Sequence, residues 1–141
     1  MRLLGIDHGG KRTGLALGDT ETRLALPFEM FENLPDVQLA RAIAQTVRKE
    51  AIEAIIIGLP LNADGTPSNQ SKIVERFILM LQQQIPPQIP IHRMSEHLTS
   101  HDSESKLAGL FTREQKRQRV DAIAAARILQ DWLDQQPRND G

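Results

Sequence analysis

Leu3-Leu4-Gly5-Ile6-Asp7-His8-Gly9-Gly10-Lys11-Arg12-Thr13-Gly14-Leu15-Ala16-Leu17 is the stretch that decides how the chain is read. A short apolar run from Leu3 ends on the carboxylate of Asp7, a glycine-rich turn follows, and a second apolar run covers Leu15 to Leu17. Two such runs around a glycine-rich turn predict a strand-turn-strand hairpin. Asp7 then stands at a strand end, facing a turn with three glycines and their backbone N–H groups. Lys11 and Arg12 place cations beside it. A carboxylate with neighbouring cations and closely approachable backbone suits metal-bound phosphate. A turn aspartate that hydrogen-bonds its own loop is the plainer role, and the hairpin by itself leaves both open.

Outward from the hairpin, Leu24 to Phe31 reads as a third strand, with Pro27 requiring an edge position or a bulge. From Pro35 the spacing turns helical, with Val37, Leu39, Ala40, Ile43, Ala44 and Val47 on one face and Pro35 and Asp36 favourable near the start. Ala54-Ile55-Ile56-Ile57-Gly58 is a continuous β-branched run, the pattern of a central parallel strand buried on both faces. Leu59 to Pro67 is dense in turn-formers. A second helix carrying Ile73, Val74, Phe77, Ile78 and Leu81 follows, until Ile85-Pro86-Pro87 stops it. Ile89 to Arg93 predicts a short strand, and Thr99 with Asp102 resembles a helix-capping pair before the stretch reaching Leu110. A final helix is expected from about Arg119 to Leu133. Alternating strands and helices after three β-runs predict a five-stranded mixed sheet flanked by helices, an α/β architecture. One domain over residues 1–134 is expected, with a disordered tail at 135–141 and no internal repeat.

Composition bounds the function. A chain of 141 residues, 40% hydrophobic and 25% charged, suits one globular domain with its own core. There is no cysteine, which excludes disulfides and thiolate zinc sites. The first apolar run is far too short for a signal-peptide core, and no stretch approaches the roughly 18 apolar residues of a membrane span. A soluble, cytoplasmic protein with no membrane partner is expected. The net charge of -1 shows no basic excess, so nucleic-acid binding would have to rest on a local patch. Arg113, Lys116, Arg117 and Arg119, against the single acid Glu114, form that patch directly before Asp121. Aromatic residues make up 4% with no tyrosine, which favours recognition of backbone shape over base stacking.

Two more carboxylates sit at element ends. Glu96 follows the Ile89 to Arg93 strand, and Asp121 heads a helical stripe with Ala125, Ile128 and Trp132. Their plainer roles are a solvated loop glutamate and an acid meeting the helix dipole. Together with Asp7 they form a set of oxygen donors that can converge on one or two hard divalent cations such as Mg2+ or Mn2+. In such a site the cations activate water and stabilise the leaving oxygen of a phosphodiester. His8, His92, His97 and His101 lack metal-ligand spacing and read as surface or loop residues, with His97 notable for adjoining Glu96.

The ordered motifs resemble the YqgF family of RNase-H-like proteins, also called Holliday-junction-resolvase-like, over nearly the whole chain. Asp7 to Gly14 is similar to its opening motif, Gly58-Leu59-Pro60-Leu61-Asn62-Ala63-Asp64-Gly65 to its central loop, and Arg119-Val120-Asp121-Ala122-Ile123-Ala124-Ala125 to its final helix start. The resemblance implies an RNase-H-like fold, with Asp7, Glu96 and Asp121 as catalytic, metal-binding acids and Lys11 and Arg12 as phosphate contacts. Asn62 of the central loop and the cations of the basic patch complete the candidate nucleic-acid-binding set. It implies a nuclease processing the small-subunit ribosomal RNA precursor (pre-16S), with resolution of branched DNA junctions as the alternative and a homodimer compatible with either. The chain departs from the family around Glu96, where Ser95-Glu96-His97-Leu98-Thr99 replaces the common Asp-Glu-Arg before Leu-Thr. Residues Thr66-Pro67-Ser68-Asn69-Gln70 are also less basic than the family's usual loop.

Two other classes stay in view. The hairpin also resembles the phosphate loop of actin-like ATPases, which clamp nucleotide between two such domains, whereas this chain supplies one unless a dimer builds the cleft. A catalytically weak RNA-binding adaptor of ribosome biogenesis would keep the fold and lose the chemistry.

Overall fold

A computed structural model describes residues 1–97 and 113–137, with the side chains of His97 and of residues 113–120 outside the description. Five strands, β1 (Arg2–His8), β2 (Arg12–Asp19), β3 (Leu24–Glu32), β4 (Ala54–Leu61) and β5 (Ile91–His97), form one sheet in the order β3-β2-β1-β4-β5. The β1–β2 and β2–β3 pairs are antiparallel, while β4 runs parallel to both β1 and β5. Three helices lie among the described residues: α1 (Asp36–Lys49), α2 (Asn69–Gln82) and α3 (Arg113–Gln135). This is the mixed, helix-flanked sheet that the sequence predicts. None of these helices is long and apolar enough to cross a membrane.

Period-two alternation splits the apolar residues between two cores. Leu4, Ile6, Leu15, Ile55 and Ile57 face α1 and α2, packing with Ile43, Val47, Phe77, Ile78 and Leu81. Leu3, Ala16, Ala54 and Ile56 face α3, against Ala125, Ile128, Leu129 and Leu133. The β-branched run in β4 is therefore buried on both sides, as its composition predicts.

The α3 face is lined by small residues, and α3 lies almost on the backbone of the sheet. A Cβ on Gly5 would stand 2.8 Å from the Leu129 Cβ, and one on Gly14 would stand 1.9 Å from the Asp121 carbonyl oxygen. Polar bonds latch the same helix to the far edge. Gln130 accepts from the Ala25 N–H and donates to the Arg23 carbonyl, while Arg23 donates to the carbonyls of Leu133 and Gln136.

Pro27 sits where the sequence requires. Strand β3 is an edge, and the pairing with β2 shifts register between Leu15 and Ala16, so that Phe28 is skipped between Glu29 and Pro27. Ser68 and Ser71 form a capping box that starts α2, each hydroxyl accepting from the other residue's N–H.

Several boundaries differ from expectation. Strand β5 spans Ile91–His97 rather than starting at Ile89 and ending at Arg93, so Glu96 lies inside the strand, opposite Pro60. Helix α3 begins at Arg113 rather than Arg119, which makes the basic stretch its first turns. A run of Arg, Glu, Gln and Lys has high helix propensity without any apolar stripe to announce it. At the other end, Gln135 closes the helix and Gln136 bonds back to Trp132, so packed structure passes the expected end of the domain. The Thr99–Asp102 capping pair, the stretch to Leu110 and residues 138–141 lie outside the described residues.

Candidate active site

The site forms where β1, β4 and β5 end together at one edge of the sheet. Asp7 is the penultimate residue of β1 and shares the α3 face with Leu3 and Gly5, while His8 turns to the opposite face. Across the hairpin Asp7 pairs with Gly14, and Gly14 is the glycine on which the Asp121 backbone rests. One missing side chain thus lets the α3 backbone at Asp121 rest on the hairpin beside the strand position that pairs with Asp7. Glu96 follows Met94 on the α3 face of β5, and its carboxylate lies within the electrostatic field of Asp7.

Both outer acids resist ionisation. Burial pushes the Glu96 carboxyl above its ordinary value, Asp7 and then Asp131 push it further, and Arg127 pulls it back. Burial likewise raises Asp121; Arg12 opposes the shift and Glu32 adds to it. The Arg12 Nε lies 3.4 Å from the Asp121 Oδ2, yet that buried oxygen accepts no hydrogen bond. An acceptor left in this condition costs free energy that a cation would recover.

These residues fit a hard divalent cation in donor chemistry: two carboxylates on the α3 face of the sheet and a third on α3 with a buried oxygen lacking a donor. They do not form a finished coordination shell. Among the described residues no group of three or more His, Asp or Glu side chains is arranged to hold a metal ion. The repulsion from Asp7 that adds to burial in raising the Glu96 pKa opposes drawing these two carboxylates together without a cation between them.

The cation candidates divide. Lys11 is exposed in the hairpin turn and Arg12 opens β2. The turn is held by the Gly9 N–H donating to the Arg12 carbonyl and the Asn33 N–H donating to the Lys11 carbonyl. Asn62 is exposed in the loop after β4, where its amide donates to the Thr66 hydroxyl and the Pro67 carbonyl and so organises the loop itself. Arg113, Lys116, Arg117 and Arg119 belong to the first turns of α3, which run into Asp121, but their side chains lie outside the description.

One expectation about the histidines is corrected. His8 is buried, not a surface or loop residue: its Nε2 lies 3.3 Å from the Asp36 Oδ1 and its ring packs on Phe77 at 4.6 Å. Alternation along β1 gives the physical reason, since the neighbour of an α3-face aspartate must enter the α1–α2 core. His92 is exposed as expected. His101 and the His97 side chain lie outside the described residues. Pattern reading passes over Arg127 and Asp131, which act on Glu96, and Glu32, which acts on Asp121. Glu32 faces Arg12 in the β2–β3 ladder, a pairing that only the folded register supplies.

Comparison with known proteins agrees with this architecture. Curated relatives named "Putative pre-16S rRNA nuclease" include one from Anaeromyxobacter sp. (strain K), 38% identical over 136 residues and covering 95% of this chain and 97% of its own length. Another, from Maridesulfovibrio salexigens, is 34% identical over 135 residues and covers 94% and 98%. Among solved structures, Thermus thermophilus RuvC superposes with a TM-score of 0.54 at 15% identity, covering 94% of each chain. The fowlpox virus resolvase bound to Holliday junction DNA gives 0.52 at 12%, covering 94% of this chain and 99% of its own. The fold is therefore RNase-H-like, of the resolvase kind. A family model described as RuvX, Holliday junction resolvase, spans residues 1–135, and with relatives this similar along their whole length the chain belongs to that family.

Proposed function

We propose that the chain is a metal-dependent nuclease that hydrolyses phosphodiester bonds in structured nucleic acid, acting in the cytoplasm on the pre-16S ribosomal RNA precursor. The reading is supported by Asp7 and Glu96 on the sheet face that α3 covers, with Asp121 on α3 itself carrying a buried oxygen that lacks a hydrogen-bond donor. The names of the curated relatives support the reaction class and the substrate.

Asp7, Glu96 and Asp121 would hold Mg2+ or Mn2+, which supplies Lewis acidity for activating water and offsetting charge on the phosphate. The chain's own residues do the rest. Gly14 lets the α3 backbone at Asp121 lie against the hairpin. Lys11 and Arg12 offer charge-assisted hydrogen bonds to the phosphate flanking the scissile bond, and Arg12 holds Asp121 in place until substrate arrives. The basic first turns of α3 extend the path of the nucleic-acid backbone away from the acids.

The test is cleavage of a labelled pre-16S precursor and of a four-way DNA junction, side by side, with Mg2+, Mn2+ or chelator. Metal-dependent cutting of the RNA, lost in Asp7→Asn, is the expected result. Cutting of the junction alone would transfer the activity to branched DNA, the substrate named in the family description. RNA binding without any cutting would leave an adaptor.

A further inference from the structure

We propose that His92 and Trp132 form a stacking subsite for an unpaired nucleobase, on the strand that carries Glu96 and on the sheet face covered by α3. The nuclease reading supplies the polymer; the place comes from the rings themselves. Two ring contacts occur among the described residues. His8 with Phe77 is sealed in the core, whereas His92 with Trp132 opens to solvent. The exposed imidazole lies over the indole with centroids 5.4 Å apart and planes inclined by 27°. Trp132 is partly buried against the core beneath α3, so the outer ring rests on an anchored one.

Register connects this pair to the chemistry. His92 stands opposite Ile56 and Glu96 opposite Pro60, both on the α3 face of β5, which is an edge of the sheet. Four residues of strand separate them by about 13 Å. That distance spans at most about four nucleotides at the ~3.4 Å rise of a stacked strand. Arg127, one α3 turn before Asp131, is exposed and close enough to act on Glu96. It therefore offers a phosphate contact along the interval between the rings and the acid.

Histidine and tryptophan rings both serve as platforms for splayed bases, and such stacking accepts any base because every base has a π-face. A strand leaving the cleavage point would thus be gripped by one unpaired base at His92, selecting substrates with a single-stranded segment beside the scissile bond. If the two rings only seal the edge of the core, nucleic acid has no effect on them.

Trp132 is the sole tryptophan and the chain has no tyrosine, so its fluorescence reports on this place directly. The experiment titrates the full chain, in chelator to prevent cutting, with a short single-stranded RNA. Trp132 emission is read together with the anisotropy of a label on the RNA. Quenching that saturates in step with anisotropy is expected, with affinity falling about 5- to 100-fold in His92→Ala and returning in His92→Phe. Circular dichroism confirms that the variants are folded. RNA binding without quenching, or His92→Ala binding like wild type, would overturn the subsite while leaving the nuclease reading intact. Quenching retained by a protein that cuts nothing in Mg2+ or Mn2+ would do the reverse.

Discussion

Replacing Gly14 by alanine tests the site at its joint. The backbone at this position is not in the left-handed region, which among the described glycines is occupied only by Gly65, so alanine meets no conformational obstacle. The effect is therefore steric. The new Cβ would lie 1.9 Å from the Asp121 carbonyl oxygen, 2.3 Å from its carbon and 2.9 Å from the Ala122 nitrogen. These are backbone atoms that cannot rotate away. Regaining ordinary van der Waals separation moves α3 off the hairpin by about 1.5 Å. Overpacking of this kind costs about 1–3 kcal/mol, and a clash of backbone with side chain belongs at the upper end. A melting temperature lower by about 10 °C is expected for a chain of this size. A displacement near 1 Å between catalytic groups also costs about 100-fold in rate, so cleavage should fall at least that far at temperatures where the variant remains folded. Gly10→Ala is the control, because a Cβ there meets nothing within 4 Å. Urea and thermal unfolding, with single-turnover cleavage, provide the readouts. A Gly14→Ala protein as stable and as fast as Gly10→Ala would refute the placement of α3 against the hairpin.

Other expectations follow from the charges. Burial raises the Asp121 pKa in the folded state, so its ionisation weakens folding as pH rises from the unfolded value through the folded one. Asp121→Asn should therefore melt higher than wild type at neutral pH and lose this advantage as the solution is acidified toward pH ~4, while cleavage is abolished; an equal or lower neutral-pH melting temperature would contradict the assigned burial. Millimolar Mg2+ or Mn2+ should raise the melting temperature of wild type but not of Asp7→Asn, by about 2.7 kcal/mol of stabilisation at a hundredfold excess over Kd. No shift in wild type would count against a metal site. Neutralising Lys116 and Arg117 together should weaken RNA binding and flatten its log–log salt slope by about 1.4 on a single strand, and an unchanged slope would remove them from the interface.

Legibility in the sequence followed the strength of local pattern. The hairpin and β4 could be read because apolar alternation and β-branching persist through Leu3, Leu15 and Ile55 to Ile57, each buried as its period requires. Strand β5 was harder, since Ser95, Glu96 and His97 have no apolar period and become a strand only through parallel pairing with Leu59, Pro60 and Leu61. The early turns of α3 were hidden in the same way by their uninterrupted polarity. Asp7, Glu96 and Asp121 were identifiable as acids near element ends. How Asp121 meets the sheet depends on contacts between the opening hairpin and the last helix, such as Arg12 with Asp121, which no local window contains. Burial of His8 followed from the same parity that exposes Asp7 to α3, but the adjacent glycines made it resemble a loop residue.

The glycine-lined face under α3 bears on how the protein is made. Translation runs from β1 toward α3, so a nascent chain can pair its five strands and cover one side with α1 and α2 before the helix that delivers Asp121 has been synthesised. Until then Leu3, Ala16 and Ile56 lack their cover and Asp121 is absent. If Asp121 is one of the metal-binding acids, as proposed, a growing chain would be unable to cut until the helix that buries Leu3, Ala16 and Ile56 has docked.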